Sequence, residues 1–163
     1  MNRVGKLIIV AVLVLASFKV SAEIRPQWSN GTMIGNAVIG TLPIGSSVSL
    51  DYVFVDEWWK GHFTVGGEID FGVSSDDWKA IGITPRATYG LNITDVFEVH
   101  ASFGLGLGVR IINNSEGKDD DSFVLWNQLV GCRFFITDDI AVLAETGYSN
   151  WFPKFRLGIS YKF

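Results

Sequence analysis

Arg133 and Glu145 carry opposite charges and flank a short polar turn, Thr137 to Asp139. Paired across that turn they would make a buried ion pair that fixes register; placed in a channel they would line a conductive path. The ion pair is the expected reading, because breaking a buried pair costs about 3 to 5 kcal/mol and that alone accounts for both residues. His100 lies between Glu98 and Ser102, where a carboxylate two residues away suits either a pH-sensitive latch or a hydrogen-bonded structural imidazole. The structural role is expected. His62, close to a turn, is the other histidine of the chain, so no cluster has metal-ligand spacing and neither a metal nor another cofactor is expected. Asp119, Asp120 and Asp121 form an acidic run, with Asp76 and Asp77 a second one. A divalent cation bridging the two is the sharper possibility, and solvated loop charge the expected one. The lone Cys132 excludes an intramolecular disulfide.

Placing such side chains on one surface requires elements in which alternate residues face the same way. From Phe63 the residues Val65, Gly67, Ile69, Phe71 and Val73 share a face, and Thr64, Glu68, Asp70 and Ser74 share the other. The same two-residue period runs through Ile83 to Ile93, Phe97 to Ile111, Val124 to Ile136, Ile140 to Tyr148 and Phe155 to Phe163. Upstream, Val48, Leu50, Tyr52 and Phe54 mark another strand, and Thr32 to Leu42 a first one whose inward face the residues do not decide. Eight strands result. Asn92 to Asp95 and Thr137 to Asp139 are tight turns, whereas Ser74 to Trp78, Asn113 to Ser122 and Ser149 to Pro153 are loops at the opposite end. Pro85 lacks a backbone donor, so a bulge or a local break in the ladder is expected there.

Residues 1–22 are expected to be a cleaved export signal: Arg3 and Lys6, an apolar run from Leu7 to Phe18, and Val20-Ser21-Ala22 as the cleavage site. The run is shorter than the ~20 residues of a membrane helix. Residues 23–163 then form one domain. Removing the signal takes away Arg3, Lys6 and Lys19 and no acid, so 13 basic against 17 acidic residues becomes 10 against 17, a net charge of −7. Nucleic acid is therefore excluded as an expected partner.

Alternation alone does not say which face looks inward, since a soluble barrel hides its apolar face. Here the apolar face carries no charge, as a lipid-facing surface requires. The opposite face carries Asp51, Glu68, Asp70, Arg86, Glu98, Arg110, Arg133, Glu145, Arg156 and Lys162, five acids against five bases, with His100 among them. So even a balance fits a narrow enclosed lumen, which must neutralise what it holds. Trp28, Trp58, Trp59, Phe97 and Phe163 gather toward one rim, and Trp78, Trp126 and Trp151 toward the other, as two interfacial belts would. The fold class expected is all-β: an eight-stranded antiparallel up-and-down transmembrane β-barrel, exported to an outer membrane, with both termini on the periplasmic side.

The segments Ile83-Thr84-Pro85-Arg86-Ala87-Thr88-Tyr89, Phe103-Gly104-Leu105-Gly106-Leu107-Gly108, Gly131 to Asp139 and Glu145-Thr146-Gly147-Tyr148, with the closing Gly158-Ile159-Ser160-Tyr161-Lys162-Phe163, resemble the opacity-type outer-membrane β-barrel proteins. The resemblance covers roughly residues 46 to 163. It implies an eight-stranded barrel and no single activity, because that family spans surface adhesins, small porin-like proteins and many members of no known role. The terminal Phe163 after Phe155, Leu157, Ile159 and Tyr161 resembles the signal that such barrels present to their assembly machinery. Tyr148-Ser149-Asn150 resembles part of the motif of outer-membrane lipid A deacylases, but the position that holds their histidine is Gly147, so the serine has no base.

A structural or surface-interaction barrel, its lumen plugged by a polar network, is thus the first expectation. A porin-like channel for small solutes is second, and a lipid A-modifying enzyme is third. Expected partners are outer-membrane lipid and the barrel-assembly machinery, the protein acting as a monomer, with any surface ligand left open. The strands Phe97 to Ile112 and Phe123 to Ile136 exceed the ~9 to 11 residues needed to span, so a hairpin projecting from the membrane is expected.

Overall fold

The computed structural model describes residues 28–59, 61–74, 78–114 and 117–163, with backbone alone for 113–114 and 117–120. The expected signal at residues 1–22, the start of the mature chain and the pair Asp76 and Asp77 lie outside these. Eight strands follow one another: β1 (Met33–Thr41), β2 (Ile44–Trp58), β3 (Gly61–Val73), β4 (Trp78–Thr94), β5 (Phe97–Asn114), β6 (Gly117–Phe135), β7 (Ile140–Ser149) and β8 (Phe155–Lys162). Each pairs antiparallel with its sequence neighbour, and β8 returns to β1 with Ile159 opposite Ala37, so the sheet closes as an up-and-down barrel with no free edge around its girth.

The two faces divide as the period-two pattern requires. Val48, Leu50, Ile69, Ile83, Leu107, Val130, Leu157 and Ile159 point outward and are exposed, while Asp51, Glu68, Asp70, Arg86, Glu98, Arg133, Glu145 and Arg156 point inward and are buried. β1 takes its face from its partners: Ile34, Asn36 and Val38 turn inward, Met33, Ala37 and Ile39 outward. Both of its faces carry branched apolar residues, which is why alternation did not decide it.

Strand length differs around the barrel. β8 has 8 residues and β7 has 10, whereas β5 has 18 and β6 has 19. The β6–β7 ladder starts only at Asn127 opposite Ser149, so β6 continues past β7 over 117–126. The expected loop from Asn113 to Ser122 is corrected by this register: Ser122 pairs with Val109, Asp121 with Arg110 and Asp120 with Ile111, and the ladder continues to Asn114 opposite Gly117. Polar side chains suggest a loop, but a ladder is made by backbone groups, which polar side chains leave free to pair. At Pro85 the β4–β5 ladder lacks the partners of Thr84 and Pro85 yet resumes in the same register, Ile83 with Leu107 and Arg86 with Gly104; the expected local break is present, without a bulge.

Candidate functional site

The lumen is filled in layers from the end where β1 begins and β8 ends, here called the terminal end, toward the distal end. At the terminal end Trp28, Ile34, Val53, Phe135 and Ala141 form an apolar cluster. Trp28, fully buried, packs its ring 5.1 Å from that of Phe135 and donates its indole N–H to Glu98 Oε2 at 2.5 Å. An indole buried in this way needs a polar partner for its one donor.

Glu98 is the hub of the next layer. It accepts from Arg133 Nη1, a contact set by register because Glu98 and Arg133 lie directly opposite on β5 and β6. Arg133 Nε donates to Ser160 Oγ at 3.0 Å, and that hydroxyl donates to Asn36 Oδ1 at 2.6 Å. Both histidines stand against this carboxylate: His62 Nε2 is 3.8 Å from Glu98 Oε2, and His100 Nδ1 is 3.5 Å from Glu98 Oε1. The other face of His100 meets Glu145, with Nε2 3.2 Å from Oε1. Room for the imidazoles comes from glycine, since a Cβ on Gly90 would collide with the His62 ring and one on Gly131 with His100 and Glu145.

A second ionic layer lies distal to the first. Arg86 reaches Asp51 at 3.2 Å, Glu68, and Glu145 at 3.9 Å. Arg156 donates to Glu68 Oε1 at 2.8 Å and lies 3.4 Å from Asp70, while Asp70 also accepts from Ser47. Asn36 Nδ2 donates to Asp51 at 2.9 Å and so ties the two layers together. At the distal end Phe152, from the 150–154 connection, is fully buried against Ala80 and Leu125, with Trp78, Phe123 and Trp151 packed around it. Arg110 lies here, its guanidinium 4.4 Å over the Trp151 ring and 3.0 Å from Asp121.

A family model described as outer membrane protein beta-barrel domain matches residues 8–163. The chain belongs to that family. The solved structures it resembles share its fold at low identity. The N-terminal β-barrel domain of Pseudomonas aeruginosa OprF is 14% identical with a TM-score of 0.64, over 83% of this chain and 100% of that one. Ail, the attachment invasion locus protein of Yersinia pestis, is 15% identical with a TM-score of 0.55, over 83% and 100%. Neisserial surface protein A is 17% identical with a TM-score of 0.51, over 81% and 94%. Compared by sequence with curated proteins, the chain finds no match.

In this outer-membrane barrel the structure gathers eight of the ten charged residues read as inward-facing into no fewer than two linked layers, but it revises their partners. Arg133 does not pair with Glu145: register sets Arg133 opposite Leu143, and Glu145, one inward step farther along, meets His100 and the Arg86 side instead. Arg110 sits at the distal rim, half-buried, and Lys162 at the terminal rim, 4.0 Å from Asp139, so neither belongs to the interior. Trp28 is not part of an interfacial belt. Trp78 and Trp151 are half-buried at the distal rim, stacked edge to face at 5.9 Å, whereas Trp126 stays exposed beside Tyr148.

His62, Asn36, Ser160 and Phe152 are among the residues that sequence reasoning missed. His62 shares the inward parity of Thr64 and Glu68, a signal that was available; Phe152 lies in a connection, where parity says nothing. Ser149 is buried, and among the described residues its hydroxyl has no hydrogen-bond partner, so no imidazole activates it. Asp121 is exposed beside Arg110. Asp119 and Asp120 hold backbone places opposite Ile112 and Ile111.

Proposed function

We propose that this outer-membrane β-barrel has a structural and surface-interaction role, with a lumen that side chains close to solutes. The observation that carries this reading is the sequence of occluding layers: the Trp28 cluster, two ionic layers and the Phe152 cluster lie in series along one narrow barrel. An eight-stranded barrel has an interior just wide enough for side chains to fill. In this reading the outer stripe works against lipid and Phe163 serves assembly, while the termini lie in the periplasm and the β5–β6 hairpin is the part presented outside.

Single-channel recording in planar bilayers tests the reading. The folded protein is expected to give no steady conductance; a reproducible open level from a homogeneous folded sample would replace this function with solute conduction.

A further inference from the structure

The interior is electrically unequal once the rim residues are set aside. Five carboxylates are enclosed, on Asp51, Glu68, Asp70, Glu98 and Glu145, each no more than 4% exposed, against three guanidinium groups on Arg86, Arg133 and Arg156. The balance of five acids and five bases read from alternation had counted Arg110 and Lys162, whose partners Asp121 and Asp139 are rim acids. Among the described residues, His62 and His100 are the other basic groups inside, and both touch Glu98. If all five acids were ionised and both imidazoles neutral, the enclosure would hold two uncompensated negative charges away from water. A buried group in that position takes up a proton in preference to remaining charged and unpaired.

We propose that the closed lumen binds two protons beyond those on its arginines, held within the connected set formed by Glu145, His100, Glu98 and His62 and the flanking acids Asp51 and Asp70. The geometry supplies the connections. Glu145 to His100 is 3.2 Å, His100 to Glu98 is 3.5 Å and Glu98 to His62 is 3.8 Å. Every strand packed around this set contributes to its field: Asp51 from β2, Glu68 and Asp70 from β3, Arg86 from β4, Arg133 from β6 and Arg156 from β8, with β1 presenting the neutral Asn36. The proposal rests on the closed lumen, since water and salt entering a pore would neutralise the excess instead.

Its sign follows from linkage. Above pH 7.5 an unfolded chain has released these protons, because free carboxylates and imidazoles have given theirs up by then. The folded state, still holding two, binds more protons, so stability falls as pH rises through the range where they leave, by up to about 100-fold per pH unit in the unfolding equilibrium.

The decisive measurement is a count. In the folded protein in lipid nanodiscs at pH 7.5, with carboxyl carbons and imidazole nitrogens labelled for NMR, the five carboxyls and two imidazoles are expected to hold two protons beyond five carboxylates and two neutral rings. A count of none or one overturns the proposal, and does so whether or not the bilayer recording finds a conductance, so the two readings fail separately. Asp51→Asn/Asp70→Asn leaves three carboxylates against three guanidinium groups and is expected to lose the alkaline slope of the urea unfolding curve. An unchanged slope in a folded double variant overturns the proposal as well.

Discussion

Glu98 joins its own strand to three other parts of the barrel. It accepts from Trp28 in the segment ahead of β1 and from Arg133 on β6, and lies against His62 on β3 and His100 on its own strand. Replacing it by alanine leaves Arg133, 1% exposed, with no carboxylate partner among the described residues, its remaining contacts being Ser160, Asn36 and the Trp28 ring. The expected result for Glu98→Ala is a loss of about 3 to 5 kcal/mol in urea unfolding from lipid vesicles, because a buried charge keeps its desolvation penalty and loses its partner; a loss under ~1 kcal/mol would show that water reaches the site. This residue also shows where sequence reading stops. Its inward parity was legible, as it was for Asp51, Glu68 and Arg86. Its partner was not, because Arg133 faces it only in the register that sets Asn114 opposite Gly117, and the polar stretch from Asn113 to Ser122 reads as loop. The Arg133 and Glu145 pairing failed for a related reason: two inward residues near one turn need not be opposite, and Leu143 is the residue that register places across from Arg133.

At the scale of the strand, the outward residues test the lipid assignment and the long hairpin tests what projects. Ile159 lies mid-way along β8 and is 55% exposed. Ile159→Lys is expected to cost about 2 to 4 kcal/mol in the same unfolding assay, the value for a charge on the lipid face near the bilayer centre, whereas Asp121→Ala at the rim removes an exposed pair and should cost less than ~1 kcal/mol. Equal effects at the two positions would remove the distinction between lipid and water on which the fold reading depends. For the hairpin, Ser122 is exposed on a stretch of β6 that has no β7 partner, and the native Cys132 lies lower, on the outer face between Val99 and Ala144. A membrane-impermeant thiol reagent applied to intact cells is expected to label Ser122→Cys and to leave Cys132 unmodified. Protection of the introduced cysteine would place the hairpin inside the bilayer or the cell. Strand number, the β6–β7 turn and seven of the eight inward faces were legible because period-two alternation is a local signal, whereas the turn expected from Asn92 to Asp95 is shortened by the ladder, which pairs Asn92 with Glu98 and Thr94 with Phe97. The face of β1 and the extent of the hairpin were not legible, since the first depends on closure with β2 and β8 and the second on backbone pairing that polar side chains conceal.

In the proposed reading the molecule closes itself by several barriers in series, and a series is only as open as its tightest layer. Phe152 makes the distal one: its ring is fully buried and lies so near Gly72 and Gly82 that a Cβ on the latter would collide with it. Truncating it removes a large apolar group from a packed cluster, so Phe152→Ala is expected to lose about 3 to 5 kcal/mol of stability. It opens a recess in which the next obstacle is the layer of Arg86, Arg156, Glu68 and Asp70, whose mutual contacts draw opposite strands together across the lumen. An ion entering that recess must break charge pairs that are themselves desolvated, which makes the ionic layer a barrier independent of the aromatic one. Phe152→Ala should therefore remain silent in planar bilayers while being measurably less stable. Steady conductance in that variant would mean that the ion pairs do not seal the barrel, and that a single aromatic side chain separates a closed structural protein from a pore.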